Sequence, residues 1–235
     1  MDRVTRGPED LDPERIRANL ERARAAIGDA CRRAGRDPAG VELLVATKYV
    51  SAAGMEALAR GGVTLVGENR AQELAVKHEA WGDSFTWDFI GRLQSNKVRQ
   101  VLPLTRLIHS VDSISTVREI DRRAPAPAGV LLQVNISGEG SKCGIIPDEV
   151  DRFLEEASGY QGVNFMGLMT MPPLAADPGA ARSVFASLRE LAAALARKWS
   201  GRHSFNRLSM GTSNDYAVAV EEGATIIRLG NVIFD

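Results

Sequence analysis

Residues 207–234 read RLSMGTSNDYAVAVEEGATIIRLGNVIF. A short apolar run ends at Gly211, a Ser/Thr/Asn/Asp cluster suited to begin a helix follows, then an Ala/Val stretch of helical pattern, then a second β-branched run, TIIRLGNVIF. Two strands joined by one helix in so short a span form a right-handed crossover and lie parallel in one sheet. Working upstream, the same alternation recurs as far as Val41, through VELLVATKY, TLVGEN, TWDFIG, LIHSVD, GVLLQVNIS and NFMGLMTM. Helical patterns fill the intervals, at 52–60, 70–81, 94–101, 114–122, 147–158, 178–199 and 214–222. With RLSMG and TIIRLGNVIF these make eight candidate strands, and eight units predict closure into a single α/β barrel, the (β/α)8 TIM type. A doubly wound open sheet is the alternative. Ahead of the first strand, Pro13 opens an extra N-terminal helix with Ile16, Leu20, Ala23, Ile27 and Ala30 on one face, ending near Gly35. The expected organisation is one domain over residues 1–235, with 1–12 a flexible lead.

Composition narrows the function classes. Lys and Arg number 29 against 30 Asp and Glu, so the basic footprint of a nucleic-acid binder is missing. No stretch approaches the roughly 18 apolar residues that cross a bilayer, and the N-terminus has no apolar segment of a secretory signal. Cys31 and Cys143 have no paired spacing, which suits a reducing compartment better than a disulfide framework. A cytoplasmic protein with no metal cluster is expected.

In such a barrel the functional groups gather at the C-terminal ends of the strands. Lys48 ends the first strand after an apolar run, which points it into the barrel mouth. Partial desolvation there, beside a cation such as Arg228, favours the neutral amine that attacks an aldehyde. The bland reading is a strand-end lysine reaching solvent. Ser209, Gly211, Thr212 and Ser213 follow the seventh strand and Gly230 the eighth, the two loops that often bind phosphate in barrels. A plain helix cap is the alternative for the first group. Asn69, ending the second strand, either reaches a ligand on Lys48 or caps the next helix. The segment 138–144, GEGSKCG, lacks phosphate-loop spacing and is read as a flexible loop at the mouth. His78 is expected on a helix surface, His109 as a hydrogen-bonded barrel residue, and Trp81 and Trp87 in packing.

The ordered motifs LLVATKYVS, GENRAQE, WDFIGRLQSNK, IHSVDS, QVNISGEGSKCG, GLMTMPP and LSMGTSNDYAVAVEEGATIIRLGNVIF resemble those of the pyridoxal phosphate homeostasis proteins, relatives of the alanine racemase N-terminal domain. The resemblance covers nearly the whole chain. It implies a fold-type III barrel with pyridoxal 5′-phosphate (PLP) held on Lys48 as an internal aldimine, and Asn69 near the ring hydroxyl. By the same carry-over Ser209, Gly211, Thr212, Ser213 and Gly230 surround the phosphate and Arg228 faces the pyridine nitrogen. Three positions depart from the family pattern: Gly211-Thr212-Ser213 stands where GMS is usual, Asp88 replaces the histidine of WHFIG, and Asp235 replaces a final glycine.

The resemblance implies a monomeric carrier with no catalytic residues, which maintains intracellular PLP and amino-acid and keto-acid balance and delivers the cofactor to apo PLP-dependent enzymes. A PLP-dependent amino-acid racemase is the alternative. Racemases of this fold take a catalytic tyrosine from a second domain, whereas only Tyr49, Tyr160 and Tyr216 are present here. Of these, Tyr49 adjoins Lys48, but strand alternation directs it away from the lysine.

Overall fold

The computed structural model describes residues 5–139, 143–173 and 176–235. Its centre is a closed parallel barrel of β1 (Glu42–Ala46), β2 (Leu65–Glu68), β3 (Thr86–Phe89), β4 (Leu107–Val111), β5 (Ala128–Gln133), β6 (Val163–Met169), β7 (Arg207–Ser209) and β8 (Ile226–Leu229), each strand paired with the next. Closure comes from β1 and β8, with Leu44 opposite Arg228 and Val45 opposite Leu229. The (β/α)8 expectation is met, and an open sheet is excluded.

Around the barrel run α1 (Pro13–Arg33), α2 (Met55–Arg60), α3 (Ala71–Trp81), α4 (Val98–Val101), α5 (Ile114–Arg123), α6 (Val150–Ala157), α7 (Arg182–Lys198), α8 (Tyr216–Glu221) and α9 (Asn231–Phe234). The extra helix α1 starts where the Asp12 side chain accepts from the Glu14 amide with Pro13 in the first turn, and Gly35 takes a φ of 65° just past its end.

Alternation along the strands sorts the apolar residues into two cores. Val45, Val66, Trp87, Ile108, Val130 and Ile227 face the helices, whereas Leu44, Leu65, Leu107, Leu131, Met169 and Ile226 fill the barrel itself. Trp81 and Trp87 pack against Phe85, as their packing assignment requires. His78, half-buried on α3, lies against the Trp87 ring at 5.6 Å rather than free on a surface.

Two expectations are corrected. TIIRLGNVIF is not one strand: β8 stops at Leu229, and Asn231–Phe234 coils into a helical turn after Gly230. The turn buries Ile233 and Phe234, and the Asn19 side chain of α1 donates to the Ile233 carbonyl at 3.0 Å. The lead is anchored from Arg6 onward, because the Arg6 amide donates to Tyr49 O (2.7 Å) and Arg6 O accepts from the Ser51 amide (2.9 Å). A polar composition concealed this, since backbone pairing needs no apolar side chain. Of the loop 138–144, residues 140–142 lie outside the described residues; its two flanks are joined by a parallel bridge between Val134 and Ile145.

His203 supplies a pH-dependent contribution to stability. Packed among Phe165, Phe205 and Trp199, it accepts the Phe165 amide hydrogen at Nδ1 (3.4 Å), and burial, aided by Arg202, lowers its pKa to about 4. An unfolded histidine takes up its proton near pH 6.5, before the folded one does, so this contribution is complete above about pH 6.5 and is lost as pH falls toward 4. Urea denaturation across that window is expected to show falling stability, with a shallower slope in His203→Gln. Equal slopes would remove His203 from the account.

Candidate cofactor site

β1 ends at Ala46, and residues 47–50 turn back, with the Val50 amide donating to Thr47 O at 2.8 Å. Lys48 therefore rides on a turn and is exposed, not buried in the barrel mouth as its place after an apolar run suggested. On a turn the strand alternation no longer operates, so Tyr49 is not directed away: its ring centroid lies 5.2 Å from the Lys48 amine. Lys48, Tyr49, Ala46, Arg6, Gly230, Asn231 and Phe234 line one cavity of ≈ 380 Å³. Arg228, expected beside the lysine, is not among them. Arg6, Tyr49 and Phe234 are lining residues that the sequence reading missed. Only pairing of the lead with the Lys48 turn and coiling of 231–234 bring them in, and neither has a periodic signal.

Gly230 lines the same cavity as Lys48. A Cβ built there would enter open space, its nearest atoms being Ala46 O at 3.9 Å and Ala46 Cβ at 4.0 Å, so the glycine leaves room that any other residue would occupy. The Gly230 amide donates to Ser213 Oγ at 3.4 Å, which joins the loops after β7 and β8. Gly211 makes the first of these turns with φ 90°, and its carbonyl accepts from the Arg228 amide at 3.0 Å.

The other two hydroxyls expected in a phosphate cup are committed elsewhere. Thr212 donates from both N and Oγ1 to Asp215 Oδ1 (2.6 and 3.2 Å). Ser209 is fully buried inside the barrel, where its Oγ accepts from Arg228 and lies 2.9 Å from His109 Nδ1. Its alternation along β7 aims it inward, so position at a strand end was a poor guide.

Asn69 does not cap α3: Arg70 stands at that position with no side-chain cap. Its half-buried side-chain amide makes no hydrogen bond among the described residues, only its backbone N–H being engaged, so the alternative of a ligand contact is the one left open. Beneath it the buried Glu68 receives Lys77 Nζ, Thr47 Oγ1 (2.7 Å) and the Asn69 amide (3.1 Å). Lys77 also donates to Thr47 O at 2.9 Å. This ion pair of α3 and β2 thus holds the backbone on either side of the site.

Arg228 is 5% exposed and donates to Ser209 Oγ, Thr170 O (2.9 Å) and Met171 Sδ (2.9 Å). Burial lowers its pKa to about 10, opposed by Asp215, so it stays a cation at neutral pH. Ser209, His109 and Asp88 are the residue types of an acyl-transfer triad. With Ser209 at zero exposure and its oxygen bound by a guanidinium, they cannot meet a substrate.

The donor set suits PLP: an exposed primary amine for the aldehyde, a glycine wall with a neighbouring hydroxyl for the phosphate, and an unpartnered amide for a ring substituent.

Comparison with known proteins agrees in kind. Residues 11–235 match the family model described as alanine racemase, N-terminal domain. A pyridoxal phosphate homeostasis protein of Aquifex aeolicus (strain VF5) is 40% identical over 94% of this chain and 96% of its own length. The solved structure of PipY from Synechococcus elongatus PCC7942 with PLP bound superposes with a TM-score of 0.80 at 33% identity, covering 94% of this chain and all of that one. An unknown protein from Bifidobacterium adolescentis gives a TM-score of 0.85 at 34% identity over 94% and 95%.

Proposed function

Because this chain belongs to the pyridoxal phosphate homeostasis protein family, built on the alanine racemase N-terminal domain, we propose that it binds PLP covalently on Lys48 and carries it without consuming it. The observation that bears most weight is the shared cavity: the exposed Lys48 amine and the open face of Gly230 meet in it, although they come from opposite ends of the sequence. When bound, PLP supplies an aldehyde that takes up primary amines and a ring that withdraws electrons. Lys48 provides the amine, Gly230 and Ser213 with the Gly211 and Thr212 turn hold the phosphate, and Asn69 meets the ring hydroxyl. Ser209 acts one step back, through Arg228, which faces the pyridine nitrogen.

A guanidinium accepts no proton and its charge opposes protonation of a facing nitrogen, which keeps the ring a weak electron sink. That supports a carrier, acting as one monomeric domain in the cytoplasm, maintaining the PLP pool and passing the cofactor to apo-enzymes. No helix among the described residues is long and apolar enough to cross a membrane.

The test is the visible spectrum of the purified, PLP-loaded protein before and after borohydride, followed by peptide mapping. Pyridoxyl mass on the Lys48 peptide is expected, and a label on another lysine overturns the attachment. Gly230→Val fills the cradle and is expected to weaken PLP binding by about tenfold or more, in line with loss of a charge-assisted hydrogen bond. Unchanged affinity in that variant would put the phosphate elsewhere.

A racemase is the second reading, and one observation favours it: Tyr49 stands beside Lys48 in the cavity, as a second proton-transfer group would. Incubation of the loaded protein with L-alanine in deuterated water separates the two readings. Negligible α-deuteration is expected of the carrier. Fast exchange lost in both Lys48→Ala and Tyr49→Phe would install the racemase.

A further inference from the structure

Inside the barrel a line of polar side chains runs from the mouth to the base. Arg228 donates to Ser209 Oγ, Ser209 Oγ lies 2.9 Å from His109 Nδ1, and His109 Nε2 lies 3.1 Å from Asp88 Oδ2. Asp88 in turn receives Arg106 through Nε (3.0 Å) and Nη2 (2.8 Å). Arg106 and Arg207 both reach Glu42 at the start of β1, where the line meets solvent. Ser209, His109 and Asp88 are each wholly buried, so none can exchange a protein partner for water.

Burial of this kind makes the direction of every hydrogen bond deducible. A guanidinium only donates, so Ser209 Oγ accepts from Arg228, and the hydroxyl proton must go to the one remaining neighbour, His109 Nδ1. Nδ1 is then unprotonated, and the imidazole carries its proton on Nε2, directed at Asp88. Asp88 accepts from both sides. Burial pushes its carboxyl up, yet the hydrogen bonds from His109 and Arg106 outweigh this and hold it below the usual range, while burial keeps His109 below its own. Between Ser209 and Asp88 each donor then faces one acceptor, an order that the opposite histidine tautomer would break.

We infer that Asp88 and His109 are positioning residues for the cofactor: acting through Ser209, they hold the Arg228 guanidinium in one orientation. The inference rests on the PLP reading of the site. Asp88 is the member that makes the order unique. A histidine in its place can offer either ring nitrogen, whereas a carboxylate anchored by Arg106 accepts only, which locks His109 in one tautomer. The line thereby fixes the Nη1 side of Arg228 from within the barrel, while Thr170 O and Met171 Sδ take Nη2 at the mouth.

Asp88→Asn tests this with little change in volume. An amide NH2 must face either an Arg106 donor or the His109 Nε2 proton, so the tautomer inverts or Arg106 is released. Ser209→Ala, which cuts the line at its centre, is the second variant. In the 15N-labelled parent without ligand, His109 should show an unprotonated Nδ1 and a protonated Nε2. Arg228 should give separate, slowly exchanging Nη resonances. Both variants should merge the Arg228 signals and weaken PLP retention by about tenfold. A protonated Nδ1 in the parent, or Arg228 signals and PLP retention unchanged in both variants, overturns the positioning role. A parent whose nitrogen spectrum is as expected but which takes up no borohydride-fixed pyridoxyl overturns the cofactor reading instead, leaving the ordered line intact.

Discussion

Lys48→Ala is expected to lose all borohydride-fixed pyridoxyl while unfolding within about 1 kcal/mol of the parent, close to the range of a surface substitution. The Lys48 amine is exposed, and its described contact is with the Tyr49 ring at 5.2 Å, an interaction worth about 0.5–1 kcal/mol at exposed sites. Among the described residues its side chain makes no hydrogen bond or ion pair that holds the fold, so chemistry and stability are expected to separate at this residue. Mass spectrometry of the reduced protein reads the first outcome and urea denaturation the second. Residual label on the variant would show that another lysine serves.

Lys77→Met is expected to do the opposite, destabilising the fold by about 3–5 kcal/mol, because it leaves the Glu68 carboxylate buried without its cation. Lys77 is 1% exposed and Glu68 fully buried, so each charge has the other in place of solvent. Out of a total of roughly 5–15 kcal/mol for a native domain, that is a large share. Adding Glu68→Gln to the variant should recover part of the loss, since a neutral amide costs less to bury than an unpaired charge. A loss below about 1 kcal/mol in the single variant would mean that Glu68 finds another partner or takes up a proton. Because Glu68 also receives the Thr47 hydroxyl and the Asn69 amide, the folded fraction of Lys77→Met should bind PLP less well than the parent.

The contrast between these two lysines marks what the sequence made legible. The barrel was readable because its cause is periodic: β-branched runs alternating with helical stretches leave a pattern in residue order, and each of the eight strands overlaps its expected run, β5 and β6 starting one residue earlier. That the loops carrying Ser213 and Gly230 meet was readable because strand ends seven and eight are neighbours in a barrel. Lys77 was passed over, since on α3 it occupies a helical position like any solvated lysine and is buried only because Glu68 waits across the interface. Orientation at strand ends was the recurrent difficulty. Ser209 continues the pleat of β7 into the barrel, whereas Lys48 and Tyr49 lie past the point where β1 stops pleating, and residue types do not mark that point. Asp88 was visible as an unusual acid in a strand, but its role depends on His109 and Arg106, which only closure of the barrel brings beside it.

The pairing of β1 with β8 has a consequence in time. Lys48 follows the first strand and Gly230 the eighth, so the cavity they share does not exist until synthesis has passed the eighth strand and the ring of strands has closed. Contacts so distant in sequence form late, because a long loop must be ordered before they yield any gain. A nascent or partly folded chain therefore presents Lys48 as an ordinary amine without the Gly230 wall, and on the proposed assignment is expected not to retain PLP. Once closed, a ligand spanning the first and last strands favours the closed ring by mass action, so the bound form should resist opening at this seam more than the free form does.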